Sequence, residues 1–129
     1  MKLSVFILFI FAFIGCNHRR SAEISFTEKI KYFKIAKGQK FRTSFSFYNS
    51  GSENLIIKSV DASCGCLIAH YPNYPISPGQ KDSIIVTYDS NVNRSEGLII
   101  NDLLIESNTN PILHKLSIEG EVRSLIFDK

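Results

Sequence analysis

Residues 41–48 read Phe-Arg-Thr-Ser-Phe-Ser-Phe-Tyr, so large apolar side chains recur at alternate positions. Phe41, Thr43, Phe45 and Phe47 share one face, while Arg42, Ser44, Ser46 and Tyr48 take the other. Period two belongs to extended backbone, whose successive side chains point to opposite sides. A strand with one apolar face must be covered by a second layer, so this octet commits the chain to a layered β architecture. The same rhythm returns at Ile84, Val86 and Tyr88, with Ile85 and Thr87 between them. It returns again at Leu116, Ile118 and Val122, with Lys115, Ser117, Glu119 and Glu121 facing out. No helical stripe of useful length follows residue 20.

Turn residues punctuate these segments. Asn49-Ser50-Gly51-Ser52 ends the first strand, and Ser77-Pro78-Gly79-Gln80 reads as a tight turn. Proline presets φ there, and glycine accepts the positive φ of a type II turn. Residues 98–105 are apolar except for Asn101 and Asp102, which predicts a strand covered on both sides for part of its length. Shorter strands are expected near residues 24–26, 30–35, 55–60 and 67–69. The composition agrees, being rich in Ile, Val, Phe, Tyr, Ser and Thr and lacking Trp. Seven or eight strands over about 100 residues predict an all-β sandwich of two antiparallel sheets.

The amino terminus reads as an address. Residues 3–15 are LSVFILFIFAFIG, uncharged and preceded by Lys2. A run this short falls below the roughly 20 residues of a membrane-spanning helix and has the form of a secretory signal peptide. It ends in Phe13-Ile14-Gly15-Cys16, which resembles the bacterial lipobox, with Phe13 where leucine is usual. The expected organisation is a lipoprotein signal peptide over residues 1–15, then a lipidated Cys16 with a polar tether to residue 23. A single domain follows over residues 24–129. Acyl chains on Cys16 would hold the protein to a membrane, each buried methylene contributing about 0.8 kcal/mol. Lipid-anchored residence in the bacterial cell envelope, facing the periplasm, follows from that reading.

Charge excludes one partner class. Beyond residue 15 the chain carries 14 basic and 12 acidic residues, too balanced for a nucleic-acid-binding domain. One basic excess stands out: Lys29, Lys31, Lys34, Lys37, Lys40 and Arg42, with only Glu28 beside them. It reads either as attraction to an anionic surface or as an edge strand kept soluble by lysines.

Several signals fall in one order: residues 45–51 (FSFYNSG), 55–57 (LII), 63–66 (SCGC), 76–79 (ISPG), 84–88 (IIVTY), 106–108 (ESN) and 116–122 (LSIEGEV). Together they resemble the family called domain of unknown function 1573, found mostly in exported bacterial proteins and often in lipoproteins. The resemblance implies an immunoglobulin-like sandwich akin to the Hydin group, and an envelope address, without an activity. Leu67 stands where members commonly carry Thr.

Cys64 and Cys66 form an even pair once Cys16 is set aside. In an oxidising compartment they can join. A ring closed over three residues gains only roughly 1.6 kcal/mol from chain entropy, so the pair is a poor general staple. Three readings stay open: a structural element of a turn, a soft-metal (Cu or Zn) site with His70, or thiol–disulfide chemistry. Beside the pair, Tyr71 and Tyr74 lie among prolines in residues 69–75 (AHYPNYP). They read equally as a rigid recognition loop or as cover for the core.

Catalytic patterns are not evident. His18 falls in the tether and His114 on a strand, and Asp82, Asp89 and Asp102 lie scattered near strand ends. The sequence therefore predicts a non-enzymatic binding or scaffolding domain without cofactor, whose partners are the membrane, through its anchor, and an envelope protein or glycan. A thiol-based metal or redox protein is the alternative.

Overall fold

A computed structural model describes residues 19–124, which form eight strands and no helix. The signal peptide expected over residues 1–15 and the lipidation expected at Cys16 lie outside the described residues. The strands are β1 (Ile24–Phe26), β2 (Ile30–Ala36), β3 (Lys40–Asn49), β4 (Ile57–Ala62), β5 (Leu67–His70), β6 (Lys81–Asp89), β7 (Gly97–Ser107) and β8 (Leu113–Arg123). They make two four-stranded sheets, ordered β1-β3-β6-β5 and β2-β8-β7-β4.

The alternating segments form the facing layers. Phe45 of β3 sits opposite Ile84 of β6, and Thr43 opposite Val86, so the inward positions of the two strands lie face to face across the ladder. Phe45, Phe47, Ile84, Val86 and Tyr88 come from the first sheet, and Leu103, Ile105, Leu116, Ile118 and Val122 from the second, all at most 1% exposed. Full burial of such a side chain contributes about 1.5–3 kcal/mol. The Pro78-Gly79 turn is formed as expected: Gly79 has φ +76° and Gln80 N donates to Ser77 O at 3.0 Å.

Three features depart from the sequence expectation. First, the sheets are not wholly antiparallel, because β2 runs parallel to β8 with Ile30 opposite Ser117 and Ile35 opposite Val122. Parallel neighbours need a long connection, and nearly the whole domain separates these two strands. Second, β7 is covered on one side only. Ile99, Asn101, Leu103 and Ile105 face inward, while Leu98, Ile100 and Leu104 are 87%, 69% and 43% exposed. Cover on both sides would need a third layer, and these eight strands supply two.

Third, the folded unit reaches back into the residues assigned to the tether. Ala22 is buried, and Ser21 O accepts from Ser52 N at 2.8 Å and Glu53 N at 3.3 Å. Ser50 N donates to Glu23 O at 2.9 Å. Residues 21–23 thus pack on the turn that follows β3.

Candidate functional site

The cysteine pair occupies a corner where the chain leaves one sheet for the other. Beyond β4, Ser63 N donates to Asp102 O at 2.9 Å and Asp102 N donates to Ser63 Oγ at 3.0 Å. These bonds hold Ser63 opposite Asp102, one step beyond the last β4–β7 pair, Ala62 and Leu103, and so bring the corner beside Asn101 of β7. The chain then turns back: Leu67 N donates to Cys64 O at 3.3 Å, and Asp89 N donates to Cys66 O at 2.9 Å. β5 begins at Leu67, opposite Tyr88.

Cys64 and Cys66 are joined as a disulfide, with their Cα atoms 5.2 Å apart. The two sulfurs differ in setting. Cys66 is 2% exposed, whereas Cys64 is half-buried against the core edge. Gly65 between them is exposed, and open space lies where its side chain would project.

His70 does not join this pair. It sits at the far end of β5 opposite Ile85, four extended residues from Cys66 or about 13 Å along the strand. Among the described residues, no three His, Cys, Asp or Glu side chains come together in a way that would hold a metal. A disulfide also offers no thiolate, which is the form that binds soft ions. The three-residue metal set that the sequence leaves open is therefore not assembled in this structure.

Near the corner, Asn101 Nδ2 is buried and lacks a partner among the described residues, while the buried Tyr88 Oη makes at most a weak contact, to Asn93. Burial raises the Tyr88 phenol above its usual value. Neither residue was singled out by the sequence as a site. Asn101 interrupts an apolar run, and that interruption is the signal that marks it.

The two tyrosines of the loop divide the roles offered to them. Tyr71 packs against the core and the adjacent Pro72 is buried, so this half of the loop is cover. Tyr74 is 51% exposed, and its hydroxyl donates to Asp82 Oδ2 at 2.6 Å. That bond to a carboxylate, with lesser contributions from desolvation and the Asp82 charge, holds the Tyr74 phenol above its usual value. A shallow depression of about 280 Å³ lies between this loop, His70 and Ile85.

Four of the six basic residues of the run are paired with acids, three of them from far along the chain. Lys31 pairs with Glu28, Lys34 with Glu121 at 3.7 Å, Lys37 with Glu96 at 2.7 Å and Lys40 with Asp89 at 2.9 Å. Lys37 holds the Glu96 carboxyl below its usual range, and Lys40 does the same for Asp89. The fold thus brings three of the partners from far along the chain, which favours the reading of an edge kept soluble over that of an anion-binding surface. Asp102 is likewise engaged, by Lys115 at 2.8 Å and by Ser117 Oγ at 2.6 Å.

A surface that sequence reasoning missed lies on the outer side of the second sheet. In register across it, Tyr32, Glu119 and Ile100 form one row, and Lys34, Glu121 and Leu98 the next. Tyr32 is 72% exposed, so it, Leu98 and Ile100 present three large apolar side chains around two carboxylates. Its signal is the apolar run of residues 98–105, which by composition alone predicts cover on both faces for part of its length.

Two four-stranded layers, successive strands that change sheet and an all-β core define an immunoglobulin-like sandwich. The chain belongs to the DUF1573 family, described as protein of unknown function, whose model matches residues 24–122. No functionally curated protein matches the sequence. Among solved structures, a protein of unknown function from Porphyromonas gingivalis W83 superposes with TM-score 0.71 at 18% identity, over 85% of this chain and 51% of the other. The chain thus spans about half the length of that protein. The ASH/PapD-like domain 7 of human CEP192 gives TM-score 0.63 at 12% identity, over 98% of this chain and 100% of that one. The YadV chaperone gives 0.56 at 12% identity, over 82% and 54% respectively. At these identities the likeness is one of fold.

Proposed function

We propose that this protein is a non-enzymatic binding or scaffolding lipoprotein of the bacterial envelope, anchored through Cys16 and facing the periplasm. The observation that carries the binding half is the outer face of the second sheet. Leu98, Ile100 and Tyr32 stand 87%, 69% and 72% exposed in adjacent rows. Scattered single apolar residues are ordinary on a surface, but a cluster of large ones on one sheet face marks a place where another molecule sits. Aromatic and aliphatic side chains rimmed by charge suit a protein partner. The anchoring half rests on the lipobox-like Phe13-Ile14-Gly15-Cys16 after an apolar leader. Asp82, Asp89, Asp102 and His114, the titratable residues near strand ends, are engaged in ion pairs and hydrogen bonds within the fold, which supports a role without turnover.

The test is site-specific photocrosslinking in intact cells. A photoreactive side chain at Ile100 should yield a discrete protein adduct, and the same group at Ser44, on the other sheet's outer face, should not. An adduct collapsed by glycan hydrolases would identify a glycan instead. Absence of any reproducible adduct at Ile100 would remove the basis for a docking face there. Metabolic labelling with an alkyne fatty acid, lost in Cys16→Ala, tests the anchor separately.

A further inference from the structure

We infer that the Cys64–Cys66 pair is a thiol–disulfide exchange site that takes electrons from an external dithiol, with Cys64 attacked and Cys66 released. Four observations converge on it.

The first is access. Cys64 is half-buried and Gly65 beside it opens to solvent, whereas Cys66 is 2% exposed. Cys64 is thus the more exposed of the two residues, which sets the direction of attack.

The second is that the fold does not depend on the bond. Backbone hydrogen bonds hold both flanks: Ser63 N to Asp102 O, Leu67 N to Cys64 O, and Asp89 N to Cys66 O. The sulfur–sulfur bond spans a sequence separation of 2 and so removes little chain entropy from the unfolded state. It can break and reform in place.

The third is the waiting donor. Asn101 lies on β7 next to Asp102, the residue that Ser63 bonds at the corner, and is 8% exposed and inward-facing, with Nδ2 unpartnered among the described residues. An unsatisfied buried amide costs stability unless something pairs with it. A donor there supplies what a thiolate leaving into an apolar interior lacks, since burial otherwise disfavours the charged sulfur. The fourth is that nothing competes for the sulfurs at the corner: His70 stands apart and no metal set forms among the described residues.

The step balances as follows. A thiolate of the external dithiol bonds to Cys64 Sγ, and the electron pair of the Cys64–Cys66 bond departs on Cys66 Sγ. The dithiol's second thiolate then attacks its own sulfur in the mixed disulfide and releases Cys64 Sγ. Two electrons and two protons pass to the pair, and the dithiol becomes a disulfide.

The experiment uses the full-length chain in detergent, with dithiothreitol as probe and alkylation read by mass spectrometry on the peptide carrying both cysteines, which excludes Cys16. The expected result is reduction while the far-ultraviolet spectrum stays native, with a melting temperature lower by no more than about 10 °C. In Cys66→Ser, glutathione disulfide should form a mixed disulfide at Cys64 roughly tenfold faster or more than it forms one at Cys66 in Cys64→Ser. Asn101→Leu should slow reduction of the otherwise wild-type chain roughly tenfold and shift its pH profile. A pair that resists dithiothreitol until the chain unfolds would overturn the inference, and this measurement needs no variant. Equal reactivity of the two cysteines, or an Asn101→Leu rate equal to wild type, would overturn the assigned roles.

Discussion

Asn49 shows how much one side chain can hold together. It is fully buried, and its Nδ2 donates to Glu53 O at 2.7 Å and to Ile76 O at 2.9 Å. Its Oδ1 accepts from Gly51 N at 2.9 Å and from Glu23 N at 3.4 Å. The residue thereby ties the end of β3 to the turn after it, to the stretch before β1 and to the Leu55–Ile76 bridge. Asn49→Ala would leave several buried groups unpaired, so a loss of about 2–4 kcal/mol is expected in denaturant titration. A loss under about 0.5 kcal/mol would show that water replaces these bonds freely. His114 supports a second prediction. Burial lowers its basicity, nearby Lys29 lowers it further, and the Pro111 backbone opposes both. A histidine whose folded value lies below the unfolded 6.5 gains protons on unfolding, so stability should fall as pH drops below about 6.5 and level off beneath the folded value. His114→Gln should flatten that slope, leaving the separate loss at lower pH where Asp89, Asp102 and Glu121 titrate. At this scale the sequence was partly legible. Asn49 announced a turn correctly, but its burial depends on chain segments that no local pattern brings together.

Elements were easier to read than the residues that decorate them. β3, β6 and β8 carried their inward faces openly, because each alternates and each has one wet side. β7 alternates too, yet three of its outward positions are also apolar, and the two faces became indistinguishable from composition alone. Structure separates them, and substitution should do so energetically. Leu103→Ala removes a side chain with no exposure and should cost about 2–5 kcal/mol, whereas Ile100→Ser should change stability by no more than about 0.5 kcal/mol. Equal losses at the two positions, measured by chemical denaturation, would mean that the outer face is covered within the monomer. The lysines of β2 illustrate the opposite difficulty. Lys34 of β2 pairs with Glu121 of β8, and Lys37 just beyond β2 pairs with Glu96 just before β7, so much of a run that looks unbalanced in sequence is balanced in space.

Strand number could be anticipated for the whole molecule, but sheet membership could not. The chain passes from the first sheet at β1 to the second at β2, back at β3, across again at β4 and back at β5. Only β5–β6 and β7–β8 are neighbours both in sequence and in a ladder. Every other ladder joins distant segments, and no local periodicity encodes which connections cross. The same topology constrains folding. β8 is paired on both sides, to β2 over seven residues and to β7 along most of its length. Gly120 on β8 also permits the close approach of Phe33, because a side chain there would collide with the Phe33 backbone and ring. Removing β8 therefore detaches β2 from its sheet and strips the inner face of β3 and β6 of Leu116, Ile118 and Val122. A chain ended after Ile112 should be unfolded, with no cooperative melting transition by circular dichroism. The full chain should unfold in a single transition and refold in roughly milliseconds to seconds, as non-local β pairing requires. A truncated chain that still melted cooperatively would show that the first sheet has a core of its own, and the sandwich would then be two units rather than one.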